Sequence, residues 1–268
     1  MILVHGFGGN ADHFRKNTPV LGQTGPTYAI DLLGYGYADK PDPGPWEEKN
    51  KIYNFENWGD QLVDFAREVV GKPVFIVCNS VGGCAGLQAA KVGGPSAVKG
   101  VVLFNVSLRM LHTTKQPALL RPFVSGLQYV LRETSAGAAF FANVAKAKAV
   151  KNVLQQCYGD PAAVTDELVD CILRPGLEPG AVKVFLDFIS YSGGPLPEEL
   201  LPEMQVPVLI GWGEKDPWEP IAQGREYAKF KCVEDFVTLP GVGHCPQDEA
   251  PQLVNEIVRK FVLKHQSA

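Results

Sequence analysis

The sequence of 268 residues predicts an α/β fold, in which a mostly parallel, doubly wound sheet is interrupted by a helical segment. Three observations lead to this prediction. Short apolar runs alternate with helical patterns at the start of the chain, as expected of strands that are buried on both faces of a parallel sheet. Helical patterns alone then occupy residues 107–199. The strand pattern resumes afterwards and closes with a C-terminal helix.

The predicted strands are short runs rich in β-branched and aromatic residues, without polar interruption. In the first part of the chain they are residues 2–4, 28–30, 74–77 and 101–104, and in the last part residues 208–211 and 236–239. Connections between them are short or helical, so we expect the strands to pair in parallel.

Helical periodicity predicts the remaining elements, and proline and glycine mark their ends. The predicted helices are residues 58–70, 84–90, 119–131, 144–157, 165–172, 181–190 and 250–264. Four of them fall in residues 107–199, which we call the insert. We therefore expect one sheet domain, formed by residues 1–106 and 200–268, with the insert as a helical cap.

Composition excludes several classes of function. The 25 basic and 29 acidic residues give a net charge of −4 without a basic stripe, which argues against non-specific nucleic-acid binding. No run approaches the roughly 18 apolar residues of a membrane span. The six cysteines form no C-x-x-C pair or zinc-type spacing, so we expect reduced thiols and no metal site. A small-molecule substrate is the expected partner.

A candidate nucleophile follows the strand at residues 74–77. The sequence C-N-S-V-G-G at residues 78–83 places Ser80 in the small-x-Ser-x-Gly pattern of a nucleophile elbow, with Cys78 where glycine is usual. Such a turn exposes the serine hydroxyl and aims the N–H of the next residue, Val81, at a developing oxyanion. The alternative is a serine that only caps the following helix.

A base and an orienting acid are needed to activate a serine. His244 lies in a glycine-rich loop after the last predicted strand, and Asp216 follows the strand at residues 208–211. The order Ser80, Asp216, His244 is the order expected of an α/β-hydrolase. Glu214 is an alternative acid, whereas Asn105 follows an earlier strand but carries no charge.

The glycine-rich loop H-G-F-G-G-N-A, which begins at His5, permits two interpretations. With Asp31 after the next strand it satisfies a dinucleotide-binding fingerprint. Alternatively, it is an oxyanion loop in which the N–H of Phe7 joins that of Val81. Only the second interpretation also accounts for the serine elbow and the late glycine-rich histidine loop.

Taken together, these motifs resemble those of the α/β-hydrolase superfamily over essentially the whole chain. The matching blocks are H-G-F-G-G from His5, D-L-L-G-Y-G from Asp31, N-S-V-G-G from Asn79, G-E-K-D-P-W from Gly213 and G-V-G-H-C-P-Q-D-E from Gly241. The last block in particular is similar to the plant and algal plastid branch that includes pheophytinase and chlorophyll dephytylase.

The resemblance implies an α/β-hydrolase fold, the catalytic triad Ser80, Asp216 and His244, and an oxyanion hole from Phe7 and Val81. It also implies ester hydrolysis without a metal or organic cofactor, and a plastid location. The antiparallel strands that usually precede the first strand of this fold are missing, so we expect an N-terminal truncation. A targeting peptide is not visible in the chain.

The insert indicates a bulky hydrophobic ester as substrate, because it is rich in apolar and aromatic residues. The resemblance narrows this to the phytyl ester of pheophytin or chlorophyll, although a lipid would fit the composition equally. Peripheral access to a membrane that holds a lipid-like substrate stays open, as does the oligomeric state. Candidate substrate contacts are His5, Gly6, Asn79, Trp218, Phe123 and Leu127.

Two other functions stay open. The N-S-x-G-G elbow also resembles carbon–carbon bond hydrolases, in which Arg109, Arg121 or Arg174 of the insert would hold an acidic substrate. A ligand receptor with slow turnover is possible on the same scaffold, because a fold does not determine function. Enzymes with a carboxylate nucleophile are excluded by serine at position 80.

Overall fold

The computed structural model describes residues 1–266, which form a six-stranded, fully parallel sheet in the order β2-β1-β3-β4-β5-β6. The predicted doubly wound α/β architecture is therefore confirmed. The strands are β1 (Ile2–Val4), β2 (Tyr28–Ile30), β3 (Val74–Asn79), β4 (Val98–Phe104), β5 (Val208–Gly213) and β6 (Val233–Leu239).

Helices surround the sheet and fill the segment between β4 and β5. They are α1 (Thr18–Leu21), α2 (Phe55–Asp64), α3 (Gly82–Gly93), α4 (Arg121–Glu133), α5 (Ser135–Val144), α6 (Ala147–Cys157), α7 (Asp166–Gly176), α8 (Ala181–Ile189), α9 (Pro197–Leu200), α10 (Ile221–Gly224), α11 (Pro246–Glu249) and α12 (Pro251–His265). A π-helix over Phe65–Val70 continues α2. No helix within residues 1–266 combines the length and the apolar character that crossing a bilayer requires.

Several strands extend further than predicted. The prediction ended the third strand before Cys78 and Asn79, yet β3 includes both, because Cys78 pairs with Val4 of β1 and Asn79 with Phe104 of β4. Pairing with β4 satisfies backbone groups of Asn79 whatever its side chain, so this polar residue does not end the strand.

Helix boundaries differ from the prediction at two places in the insert. The structure has α5 where none was predicted, and the side chain of Thr134 caps it by accepting the N–H of Ala136 at 3.2 Å. Helix α7 also runs through Pro175, where a break was predicted. Proline cannot donate to the carbonyl four residues earlier. That carbonyl, of Cys171, accepts from the side chain of Asn10 at 2.6 Å instead.

The sheet buries apolar side chains on both faces. Successive residues of a strand point to opposite sides, and accordingly Ile76 packs in the cluster that contains Trp58 of α2, while Phe75 packs in the cluster that contains Phe261 of α12. The rings of Phe75 and Phe261 meet edge to face, with centroids 6.0 Å apart. These two layers fix the sheet edge at which the site lies.

A buried ion pair holds the insert to the core. Arg132 of α4 donates to Asp187 of α8 at 2.8 Å and to the carbonyl of Gly44 at 3.0 Å. Asp187 also accepts the N–H of Asn50 at 3.2 Å. Burial nevertheless raises the pKa of Asp187, since desolvation outweighs these partners. The pair therefore ties two insert helices to the loop around residues 44–50.

Close packing where α3 begins generates a stability prediction. A Cβ at Gly82 would lie 2.3 Å from the carbonyl oxygen of His5 and 2.9 Å from that of Val4. We expect Gly82→Ala to lower the free energy of unfolding by about 1–3 kcal/mol in urea titrations, because main chain must move. The matched control is Gly126→Ala on α4, where the new methyl group meets nothing within 4 Å. Equal stability of the two variants would contradict the prediction.

Candidate active site

The carboxyl ends of four neighbouring strands carry the candidate catalytic side chains. Ser80 follows β3, Asn105 follows β4, Asp216 follows β5 and His244 follows β6. In an open α/β sheet these strand ends form one edge, at which ligands bind. Residues that are distant in sequence therefore meet at this edge.

Ser80 has the strained backbone of an elbow. Its φ is +54°, a left-handed conformation that costs a non-glycine residue of the order of 1 kcal/mol or more. Hydrogen bonds hold it there, since its N–H donates to Phe104 at 3.0 Å and its carbonyl accepts from Gly83 at 2.9 Å and Ser107 at 3.2 Å. A Cβ at Gly6 would lie 2.8 Å from the Cβ of Ser80, so glycine lets the first loop approach the serine.

His244 and Asp216 form a buried pair. The ring Nδ1 lies 2.6 Å from Oδ2 of Asp216, whose carboxylate also accepts the side-chain amide of Asn105 at 2.7 Å and the N–H groups of Trp218 and Glu219 at 2.9 and 3.0 Å. Burial alone would raise the pKa of Asp216, but these donors, His244 foremost, lower it. An ionised Asp216 places the ring proton on Nδ1 and leaves Nε2 as the basic atom.

The loop of His244 is braced by both the insert and the core. Its N–H donates to the carbonyl of Cys157, the last residue of α6, at 2.7 Å. Its carbonyl accepts from the side chain of Asn79 at 2.9 Å, and Asn79 in turn accepts from Gln247 at 3.1 Å. Asn79, predicted to contact substrate, therefore also fixes the candidate base.

A cavity of about 530 Å³ lies beneath the insert and opens onto Ser80 and His244. Four of the predicted substrate-contact and oxyanion residues line it, namely Gly6, Phe7, Asn79 and Trp218. The insert supplies mainly apolar walls, including Phe141, Val144, Ala145, Val150, Val153, Leu154, Ile172, Leu173 and Phe185. Within residues 1–266, no lysine or arginine belongs to the lining.

Two predicted substrate contacts, Phe123 and Leu127, and the alternative acid Glu214 lie outside the site. Phe123 and Leu127 are 75% and 60% exposed on α4 and do not line the cavity. Helix α4 turns Gln128 inward, where its amide donates to Ile189 at 3.0 Å, so the apolar side of the helix faces outward. The alternative acid Glu214 is exposed and accepts the N–H of Gly241 at 3.3 Å, away from His244.

His5 is fully buried behind the cavity wall. Its Nδ1 lies 2.8 Å from the carbonyl of Gly6, and its Nε2 accepts the N–H of Leu32 at 3.2 Å. Burial lowers the pKa of His5, so the ring is neutral and joins the first loop to the turn after β2. Asp31 at that turn accepts the N–H groups of Ala11 and Tyr37, which is a structural role.

The backbone N–H groups of Phe7 and Val81 remain candidates for the oxyanion hole. Neither donates to a protein acceptor among residues 1–266. The side chain of Phe7 packs against Phe185 and Phe188 of α8, with ring centroids 5.4 and 5.0 Å away. This packing holds the glycine-rich loop after β1 in contact with α8 of the insert.

Three residues at the site were not predicted, namely Ser107, Glu219 and His13. Ser107, at the start of the insert, donates to Glu219 at 3.0 Å, and burial raises the pKa of this glutamate. His13 lines the cavity with its Nε2 3.3 Å from the hydroxyl of Tyr158. No sequence motif marks Ser107 or His13. Glu219 could have been found from the sequence, because it lies three residues after the candidate acid Asp216.

Comparison with protein families matches residues 1–257 to the alpha/beta hydrolase family. Pheophytinase, chloroplastic, from Arabidopsis thaliana is 26% identical over 300 residues, which cover 99% of this chain and 61% of that protein. The uncharacterized hydrolase YugF from Bacillus subtilis is 27% identical over 264 residues, covering 98% of this chain and 89% of that protein. The chain thus spans less than two thirds of the length of the plant relative.

Solved structures share the fold. A thermophilic esterase from Thermogutta terrifontis has a TM-score of 0.74 at 19% identity, covering 98% of this chain and 89% of its own. Est816, described as an N-acyl homoserine lactone degrading enzyme, has a TM-score of 0.71 at 22% identity, covering 97% and 92%. The predicted α/β-hydrolase fold is therefore confirmed.

Burial of His13 generates a prediction about pH. Burial lowers the pKa of His13 to about 4, whereas an unfolded histidine titrates near 6.5. The unfolded state therefore binds the proton first, and we expect up to about 3 kcal/mol of unfolding free energy to be lost as the pH falls from about 6.5 to about 4. Urea titrations of wild type and His13→Gln at several pH values measure this loss. If the unfolding free energy of His13→Gln fell as steeply with pH as that of wild type, the pH dependence would not come from His13.

Proposed function

Because the chain belongs to the alpha/beta hydrolase family, we propose that it is a serine carboxylic-ester hydrolase that acts on an uncharged, hydrophobic ester. One observation carries the proposal. The strained Ser80 and the His244–Asp216 pair line or adjoin a single apolar cavity, so nucleophile, base and substrate space meet. A buried carboxylate that orients a histidine is the arrangement that activates a serine.

In the proposed reaction, Oγ of Ser80 attacks the ester carbonyl while Nε2 of His244 takes its proton. Asp216 stabilises the imidazolium, and the N–H groups of Phe7 and Val81 hold the oxyanion. His244 returns the proton to the leaving alcohol, which breaks the C–O bond and leaves an acyl group on Ser80. A water molecule then attacks the acyl carbon while His244 takes its proton, and His244 returns this proton to Oγ of Ser80 as the bond from Oγ to the acyl carbon breaks and the acid is released.

The cavity supports the choice of an uncharged substrate. Its volume of about 530 Å³ lies within the usual range for small-molecule sites, roughly 300–1,000 Å³. No cationic side chain lines it within the described residues, and His13 is neutral near pH 7. A phytyl ester of pheophytin or chlorophyll is the finer proposal, supported by the similarity to pheophytinase; the plastid location likewise stays a prediction.

The contacts of the three candidate arginines argue against the carbon–carbon bond hydrolase. Arg109 donates to the carbonyl of Gly193 at 2.6 Å and packs over the ring of Phe55. Arg174 pairs with Asp170 at 2.8 Å, and Arg121 donates to a carbonyl on its own segment. None of them lines the cavity, so they do not provide the cation that an acidic substrate requires.

Removal of the nucleophile tests the reaction. We expect Ser80→Ala to lower kcat on p-nitrophenyl butyrate by several orders of magnitude, roughly 10⁶-fold by analogy with serine proteases. Ser125→Ala on α4 is the control and should retain wild-type turnover and phosphonate labelling at Ser80. Wild-type turnover by folded Ser80→Ala would disprove the mechanism. Tight ester binding without an acyl-enzyme burst in the wild type would indicate a receptor.

Substrate choice is tested with pheophytin, chlorophyll and a neutral acylglycerol, alongside a succinate monoester whose acyl chain ends in a carboxylate. We expect kcat/KM for the charged ester to be at least about tenfold lower than for its uncharged methyl ester, because burying an unpaired carboxylate is costly. Release of free phytol supports the phytyl ester, and release of fatty acid alone supports a lipid esterase. A preference for the charged ester would contradict the proposal.

A further inference from the structure

An apolar stripe on the outer side of α4 is left uncovered by residues 1–266. Phe123, Leu127 and Val130 lie at positions i, i+4 and i+7 and therefore share one face of the helix. Leu119 and Leu120 extend the stripe at the turn before the helix, and Leu119 is 82% exposed. We call these five residues the α4 stripe.

Other exposed apolar side chains lie in the insert. Met110 and Leu111 precede the α4 stripe, and Tyr129, Phe140 and Val153 lie on α4, α5 and α6. Folded proteins rarely leave apolar patches of this extent in water unless the patch binds something.

The charge of this segment differs in sign from that of the chain. The sequence contains no aspartate or glutamate from residue 69 to residue 132. Residues 110–149 contain five basic residues and one acidic residue, a net charge of 5 − 1 = +4, in a chain of net charge −4. Lys115 pairs with Glu198 and Arg132 with Asp187. Arg121, Lys146 and Lys148 form no ion pair with the described residues.

The cavity reaches the surface next to these lysines. Val144 and Ala145, at the turn between α5 and α6, line the cavity and are half-buried. Val153 of α6 lines the cavity while being 47% exposed, so the cavity lining reaches the surface at this helix. Lys146 lies in this turn and Lys148 in the first turn of α6, and both are exposed, so positive charge lies next to these lining residues.

We propose that the α4 stripe and the start of α6, with Lys146 and Lys148, dock on an anionic lipid surface. Apolar side chains of an amphipathic helix insert below the headgroups, while lysine and arginine attract anionic lipids. The proposal rests on the proposed function in one respect, since such a surface would deliver a hydrophobic ester to the opening.

A lipid surface fits better than a second copy of the chain. A two-fold symmetric dimer would place the same patch against itself. The positive segment would then face an identical positive segment, and like charges repel. An anionic bilayer instead complements both the apolar stripe and its charge.

The test is co-sedimentation of Ser80→Ala protein with vesicles of phosphatidylcholine, with and without phosphatidylglycerol. We expect Leu119→Ser/Phe123→Ser to weaken binding about tenfold or more. Lys146→Glu/Lys148→Glu should weaken binding to the phosphatidylglycerol vesicles about tenfold or more, because four units of charge change. The controls, Val69→Ser/Leu263→Ser and Lys72→Glu/Lys231→Glu, change exposed residues elsewhere and should bind like the parent.

The proposal is overturned if the parent does not sediment with either vesicle, or if the stripe and control variants bind equally while circular dichroism shows both folded. Light scattering that reveals a dimer broken by Leu119→Ser/Phe123→Ser, without vesicle binding, would assign the stripe to self-association instead. Because Ser80→Ala needs no turnover to bind, failure of the proposed esterase reaction would not alter any of these outcomes.

Discussion

The hydrogen bond between His244 and Asp216 is the contact on which the rest of the site depends. It joins the loops after β5 and β6, and its geometry requires that several other groups be in place. Asn105 holds the carboxylate from β4, and Asn79 holds the backbone of His244 from β3. The insert contributes the carbonyl of Cys157. A shift of any one of four strands, or of the insert, would therefore move the imidazole relative to Ser80.

The attachment of the insert depends on a few polar contacts with the core. The buried pair of Arg132 and Asp187 reaches the core because Arg132 donates to Gly44 and Asp187 accepts from Asn50. The side-chain amide of Asn10 also donates to the carbonyl that Pro175 leaves without a helical donor. Ser107 is bonded to Glu219, three residues from Asp216. Because a buried polar group without its partner costs about 1–3 kcal/mol, each contact favours one position of the insert over others. These contacts therefore fix the position of the insert over the site that it covers.

Much of the sheet could be predicted because its strands are uninterrupted apolar runs, and the three candidate catalytic residues because each sits in a short motif. The limits of β3 could not, since Asn79 stays in the strand only through pairing with its neighbours. The sequence analysis predicted that Phe123 and Leu127 contact substrate, because apolar composition does not reveal which face of a helix turns inward. In α4 the inward face carries the polar Gln128. Long-range polar partners such as Ser107, which donates to Glu219, and His13, which lies against Tyr158, have no sequence signature.

The absence of cationic side chains from the cavity lining, within residues 1–266, has a consequence for the end of the proposed catalytic cycle. Hydrolysis of an ester produces a carboxylic acid, which is ionised at neutral pH because carboxyl groups have a pKa of about 4. The carboxylate forms at the reaction centre, where the N–H groups of Phe7 and Val81 are the candidate donors, but no lysine or arginine is there to neutralise it and the apolar walls nearby solvate a charge poorly. The same chemistry that admits the substrate would expel the acid product, so departure of the acid would be driven by its own ionisation and product inhibition would be weak.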